Sequence, residues 1–396
     1  MSWGTAKVSQ QRIRFVVRAA SGKEKMRGLC REFQISPQTG YKWLKRYQEA
    51  GTLEAVQEHS RKPWHSPKRT AEPTEQRVVE HRQKRPDWGA RKLRPLLEAE
   101  GVRIPTITIH RILLRHGLVR EEERQRPAPR RFEREAPNQL WQMDYKGLPP
   151  EISKQVMPLS ILDDHSRYLV GLQGLPNTGA EPLLEYLAGV LERSGVPEAM
   201  LMDHGTPWWN GQSCWGLTRV GLWLMKQNIE LLHSGKRHPQ TQGKVESSHR
   251  AMQRRLRLRG WPEADGWADW LRQFREEWNQ QRPHEALGFR TPAGCWQPSP
   301  RGFHPHPAPF DYGTGAELCR VRQHGQIDFQ KRSFTAPQAL AGEWVALQHL
   351  QQDRFVVRYR ATFIRELDLA TGRSTPLSFQ PYEDFWDNRS EPTYGI

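Results

Sequence analysis

Near residue 137 the hydrophobic pattern changes its period, which restricts the chain to several small domains of different class. Before that point apolar residues recur at helical spacing; after it come short apolar runs bounded by turn residues. The 396 residues are too many for one ordinary core and predict two to four domains. Charge divides at nearly the same place. Residues 1–135 hold 31 Lys and Arg against 16 Asp and Glu, and the remainder holds 29 against 28. Almost all of the net charge of +16 is therefore N-terminal, where a polyanionic partner is expected.

Residues 23–50 read as two helices joined by a tight turn. Met26, Leu29, Cys30 and Phe33 mark the first, Ile35-Ser36-Pro37 supplies a turn and an N-cap, and Tyr41, Leu44 and Tyr47 mark the second. Lys42, Lys45 and Arg46 on that second helix suit a DNA-contacting surface, which is helix-turn-helix logic. The first domain is accordingly placed at 1–58, with a Pro- and Ser-rich linker at 59–71. A second helix-turn-helix domain is expected at 72–118. It takes a helix from Glu75 to Arg85, another opened by Trp88-Gly89-Ala90, and a third after Pro105 with Ile107, Ile109, Ile112, Leu113 and Leu114 as its apolar side. Tandem modules lengthen a DNA footprint by covalent linkage. Residues 119–136 mix Arg and Glu without apolar period and read as a mobile linker.

The segment 137–300 predicts an α/β layer architecture. Strands are expected at Val156–Leu162 and Tyr168–Leu172 around the turn Asp163-Asp164-His165-Ser166-Arg167. A helix at Pro182–Glu192, a long helix running on from Glu246 to Leu258 and another at Trp267–Gln280 complete it. Gly302–Pro309 is linker-like. Five short strands within 312–372 suggest a small β-barrel, and 373–396 is a tail without assignable fold. Cys30, Cys214, Cys295 and Cys319 are scattered without ligand spacing, so reduced thiols are expected rather than zinc or disulfides. No stretch has the length of a membrane span, and the expected location is cytoplasmic, at the nucleoid.

Three carboxylates stand in different frames within 137–300. Asp144 lies in the apolar run Leu140-Trp141-Gln142-Met143-Asp144-Tyr145; Asp203 ends Ala199-Met200-Leu201-Met202; Glu246 sits where a polar loop becomes a helix. Two strand-borne aspartates with one helix-borne glutamate meet the requirement of two divalent metals holding a phosphodiester. All-oxygen ligands suit Mg²⁺ or Mn²⁺, two ions per active site. Beyond Glu246, residues His249, Arg250, Gln253, Arg254 and Arg257 follow at helical spacing, a basic stripe on which a DNA strand could enter. Spacing alone proves little in a chain with 44 acids.

The motif series Trp141-Gln142-Met143-Asp144, Leu162-Asp163-Asp164-His165-Ser166-Arg167, Met202-Asp203-His204-Gly205 and His238-Pro239-Gln240-Thr241-Gln242-Gly243-Lys244-Val245-Glu246 resembles insertion-sequence DDE transposases with a retroviral-integrase-type catalytic core. The branch it resembles is the IS481 family. Trp278-Asn279-Gln280-Gln281-Arg282-Pro283-His284-Glu285-Ala286-Leu287-Gly288 is similar to the segment after that core, and the resemblance covers nearly the whole chain. It implies a ribonuclease-H-like fold with Asp144, Asp203 and Glu246 as catalytic, metal-binding triad. It also implies double-stranded DNA partners, both terminal inverted repeats and target, and a homo-oligomer on DNA. The sequence departs from the family in two places. Forty-two residues separate Asp203 from Glu246, where thirty-five is usual, so an extra turn or helix is expected in Trp208–Gly221; His204 stands where Asn is common.

Asp163 and Asp164 compete for a metal role, but in a strand turn they are better read as caps for backbone amides and partners of Arg167. Lys244 and His249 flank Glu246 and are candidate DNA contacts with Arg250, Arg254 and Arg257. The expected function is strand cleavage and strand transfer in transposition. The alternatives are a catalytically inactive DNA-binding regulator and a metal nuclease that cuts without joining.

Overall fold

Ser36 and Pro37 begin the helix that carries Lys42, Lys45 and Arg46, as the sequence suggests: the Ser36 hydroxyl accepts from the Thr39 amide and Pro37 occupies the first turn. The structure, a computed structural model, describes residues 8–57, 69–119, 133–210, 216–234 and 242–377. The chain divides into two compact units, Met1–Ala71 and Glu72–Ile396.

In the first unit, α1 (Val8–Ala20), α2 (Met26–Glu32) and α3 (Pro37–Ala50) enclose Phe15, Val16, Leu29, Cys30, Ile35, Trp43 and Val56. The helix α1 was not expected. The buried side of α3 also differs from the Tyr41–Leu44–Tyr47 line, because Trp43 is buried and Tyr41 is exposed. Gly40 explains the rotation. A Cβ there would come within 2.6 Å of the Cys30 sulfur and 2.9 Å of Phe15, so the bare backbone lets α3 approach and drives Trp43 inward.

The second unit opens with α4 (Glu72–Lys84), α5 (Ala90–Ala99) and α6 (Thr106–Arg115), packed around Val78, Trp88, Leu93, Leu97, Ile109, Ile112 and Leu113. Ile107 and Leu114, expected inside, are exposed; three inward positions at 109, 112 and 113 already fill one face. Residues 120–132 of the expected linker lie outside the described residues. The segment after them is tied down, with Glu133 paired to Arg167 at 3.0 Å and the Arg134 amide donating to Asp164.

A five-stranded mixed sheet follows, in the order β3-β2-β1-β4-β5. Its strands are β1 (Leu140–Tyr145), β2 (Met157–Asp163), β3 (Leu169–Leu175), β4 (Ala199–Met202) and β5 (Glu230–His233), with a single turn α7 (Pro150–Ser153) between β1 and β2. Strands β1, β2 and β3 pair antiparallel; β4 runs parallel to β1 and to β5. Helices α8 (Ala180–Ser194) and α9 (Arg219–Lys226) make the crossovers and bury Leu183, Leu187, Val220 and Leu224 against Trp141, Met143, Met200 and Met202. Strand alternation sends Leu140, Gln142 and Asp144 to the opposite face. There α10 (Gly243–Arg259) and α11 (Trp267–Gln280) pack Val245, Met252, Leu256, Leu271 and Phe274 on Leu162, Leu169 and Leu172.

The C-terminal region is an open sheet, not the barrel the short strands suggested. Strands β6 (Glu317–Arg320), β9 (Trp344–Gln351), β10 (Arg354–Tyr359), β11 (Thr362–Asp368) and β12 (Arg373–Pro376) lie in the order β12-β11-β10-β9-β6. The strands β7 (Gln326–Phe329) and β8 (Arg332–Thr335) pair only with each other, so they cannot bridge the two edges to close the sheet. Strand β12 also extends the fold into the expected tail, whose residues 378–396 lie outside the described ones. Cys30, Cys295 and Cys319 are free thiols, and Cys214 lies outside the described residues. No helix among the described residues is long and apolar enough to cross a membrane.

Candidate active site

Parallel pairing sets Gln142 opposite Leu201. Two residues further along each chain, on the same face, come Asp144 and Asp203. Asp144 belongs to the end of β1, and Asp203 is the first residue beyond β4. Over this face runs α10, with Glu246 in its first turn. Electrostatics report the same proximity. Burial pushes the Asp144 carboxyl up to about 7, and the charges of Asp203 and Glu246 add to the shift against the pull of Lys146. Among the described residues, no three His, Cys, Asp or Glu side chains converge closely enough to hold an ion. The three acids are thus neighbours rather than a closed ligand set.

Asp203 is held by its own loop. The Gly205 amide (2.9 Å) and the Trp208 indole N–H donate to its Oδ1. A Cβ on Gly205 would stand 3.0 Å from that oxygen, so glycine lets the chain fold back under the carboxylate. Trp208 stacks on Tyr145 with ring centroids 5.2 Å apart, which joins the Asp203 loop to the end of β1. His204 packs on the rings of Trp209 (4.7 Å) and His233 (5.4 Å). Burial lowers His233 to about 4, so this cluster presents a neutral imidazole at neutral pH. The extra turn or helix expected in Trp208–Gly221 takes the form of a β-bridge between Asn210 and Gly216 followed by the start of α9; residues 211–215 are outside the described ones.

Glu246 owes its place to three anchors at the head of α10. The Gln142 side chain accepts from the Val245 amide at 3.2 Å and donates to Asp164 at 2.8 Å. Lys244 pairs with the same Asp164 at 2.5 Å. Burial pushes the Lys244 ammonium down to about 8 against the attraction of Asp164. One turn on, His249 is buried, with Nε2 2.9 Å from the Ser160 hydroxyl and Nδ1 3.5 Å from an Asp144 oxygen. Burial, then Lys146 and Arg250, hold this histidine down to about 3, so it is a neutral neighbour of Asp144. Arg250 and Arg257 are exposed and Arg254 half-buried along the stripe; Arg250 lies 3.5 Å from Glu246.

Asp163 is a scaffold residue, accepting from the Asn138 amide and from the Ser166 amide and hydroxyl. Arg167 donates to the main-chain carbonyls of Asp164 and His165 and pairs with Glu133, so its expected carboxylate partner in the turn is replaced. Lys42, Lys45 and Arg46 belong to the other unit, on α3. There Lys42 and Arg46 flank the Trp43 ring at 5.7 and 5.0 Å, and Lys45 faces Glu49 at 3.7 Å. Gln142 and Trp208 were not singled out in the sequence. A polar residue in an apolar strand run, and an indole five residues beyond Asp203, were the available signals.

Comparison with known proteins adds a family context. Residues 11–63 match the helix-turn-helix domain family, 39–113 the homeodomain-like domain family and 227–292 the integrase core domain family. A relative from Burkholderia multivorans, the insertion element IS407 uncharacterized 31.7 kDa protein, is 26% identical over 230 residues, covering 55% of this chain and 78% of that protein. Solved structures similar to part of the chain include the catalytic core domain of BIV integrase, at 20% identity and a TM-score of 0.31, over 40% of this chain and 92% of that one. The HTLV-2 integrase catalytic core domain in complex with magnesium matches at 14% identity and 0.31, over 41% and 97%. The chain thus contains regions similar to helix-turn-helix and homeodomain-like domains and to the integrase core domain, and over part of its length it is similar to an insertion-element protein.

Proposed function

We propose that the chain is a transposase that binds the terminal inverted repeats of its element and catalyses strand cleavage and strand transfer on a ribonuclease-H-like core. Asp144, Asp203 and Glu246 would hold two divalent cations, Mg²⁺ or Mn²⁺, once drawn together from their present neighbouring positions. The observation that supports this reading is that Asp144 and Asp203 end neighbouring parallel strands on one face of the sheet, beneath the helix whose first turn carries Glu246. Such a set of hard oxygen donors carrying excess negative charge fits divalent cations. The ions would supply Lewis-acid stabilisation of the charge that develops on the transferring phosphoryl group.

The chain's own residues prepare that site. Trp208 and Gly205 fix the orientation of Asp203, the Gln142–Val245 and Lys244–Asp164 contacts fix the head of α10, and His249 stands 3.5 Å from an Asp144 oxygen. Arg250, Arg254 and Arg257 offer positive charge to a strand lying along α10, while Lys42, Lys45 and Arg46 contact the duplex from the first unit. The paired ends of an element call for a homo-oligomer on DNA.

The test is a joining assay. A duplex from the DNA flanking the gene, ending in a 3′-hydroxyl, is incubated with the full chain, a target plasmid and Mg²⁺ or Mn²⁺. Joined product is expected, and its loss in Asp144→Asn, Asp203→Asn and Glu246→Gln. Binding without cutting by the folded chain replaces this reading with an inactive regulator; cutting without joining replaces it with a nuclease.

A further inference from the structure

The second helical module is fastened to the core by a buried group of charges outside the active site. Asp87, in the turn between α4 and α5, is 2% exposed, and its Oδ2 accepts from Arg282 at 2.7 Å. Arg282 follows α11 and is also buried, its guanidinium 5.0 Å from the Trp278 ring and 5.8 Å from the Trp88 ring. Arg255 of α10 stands 3.6 Å from the other Asp87 oxygen and pairs with Glu277 of α11. Around this centre, Arg85 donates to Gln281, Arg91 pairs with Glu285 and Arg259 reaches the Lys84 carbonyl. Burial raises the Asp87 carboxyl, but Arg282 and Arg255 outweigh it, and the group stays ionised below the usual range.

Arg255 lies on the helix that carries Glu246, nine residues further on. At the rise of an α-helix that is about 14 Å along one rigid rod. Any change in the seating of the module on Asp87 is therefore a change in its distance from Glu246.

We propose that Asp87, Arg282 and Arg255 are positioning residues that fix the offset between the DNA sequence held by the second helical module and the phosphate presented to Glu246, and so determine which bond is cut. This rests on the DNA-cutting reading above. A hydrophobic seat would hold the module as firmly, but directional charge pairs permit one register only.

The experiment uses the full chain and a duplex selected from random sequence by binding to it. Asp87→Asn is compared with the neutral pair Asp87→Asn/Arg282→Gln and with the rim pair Arg91→Ala/Gln281→Ala, which disturbs the same contact without burying an unpaired charge. Three readouts are taken: amide exchange in α4 and α5, a hydroxyl-radical footprint in Ca²⁺, and cut positions in Mn²⁺. Faster exchange, a footprint whose core half shifts against its module half, and cuts spread to neighbouring phosphates are expected. Faster exchange with the footprint and the single cut site unmoved overturns the proposal, as does unchanged exchange in all three variants. A shifted footprint with no cutting even by the unaltered chain upholds the offset and defeats the DNA-cutting reading instead.

Discussion

Asp144 carries an electrostatic cost with a defined pH dependence. Its carboxyl is pushed up to about 7 by burial and by Asp203 and Glu246, so between its ordinary value of 3.8 and 7 the folded chain keeps a proton that the unfolded chain releases. Stability from this group is therefore lost as pH rises through that window. Asp144→Asn removes the loss, and at pH 8 the variant should exceed the unaltered chain in stability by up to about 4 kcal/mol. The two should converge near pH 4, which chemical denaturation at a series of pH values checks. Equal stability at pH 8 would show that neither burial nor like charge holds the Asp144 carboxyl up. Trp208 tests the neighbouring acid. Trp208→Phe keeps the stacking partner of Tyr145 but removes the N–H that Asp203 accepts, so joining should fall about 10- to 100-fold with the fold intact.

Helix α10 shows why its first turn is built differently from its surface. Lys244 was expected to meet a phosphate, yet it faces the buried Asp164 together with Gln142. Lys244→Met leaves the buried Asp164 carboxyl with two remaining donors, Gln142 and the Arg134 amide, and should cost about 3 kcal/mol. Its thermal midpoint should drop while the salt dependence of DNA binding stays the same; the reverse pattern would make Lys244 a phosphate contact. How much was legible follows the same division between local and distant causes. The cap at Ser36, the β2–β3 turn, the positions of α8 and α10 and the extent of α11 follow from neighbouring residues, and so they could be read. Helix α1 buries only Arg12, Phe15 and Val16 among its 13 residues, too sparse a period to stand out. The inward turn of Trp43 depends on Cys30 and Phe15 meeting Gly40, and the openness of the C-terminal sheet depends on β7 and β8 pairing apart. At the candidate site, the strand and helix frames of the three acids could be read from neighbouring residues, whereas the contacts of Gln142 and Trp208 exist only once distant segments meet.

Across the whole molecule, the densest positive charge and the candidate chemistry occupy different units. Residues 1–71 hold 15 Lys and Arg against 5 Asp and Glu, and their unit contains none of the three acids. Affinity for DNA and the reaction on it should then respond separately to mutation. Replacing Lys42, Lys45 and Arg46 together with Ala leaves the Trp43 core in place, since Lys42 and Lys45 are exposed and Arg46 only flanks the ring. If all three meet phosphates, the slope of log affinity against log salt should become shallower by about 2.7, at roughly 0.9 for each phosphate no longer neutralised. Titrating the full chain against a labelled duplex at several salt concentrations measures that slope. A high concentration of the variant should restore cutting, because the weakened step is capture and Glu246 remains on its helix. An unchanged slope would move the DNA-contacting surface away from α3, to the basic stripe of α10 or to the second module. Failure to restore cutting at saturating protein would instead join capture and chemistry into one step, contrary to their placement in separate units.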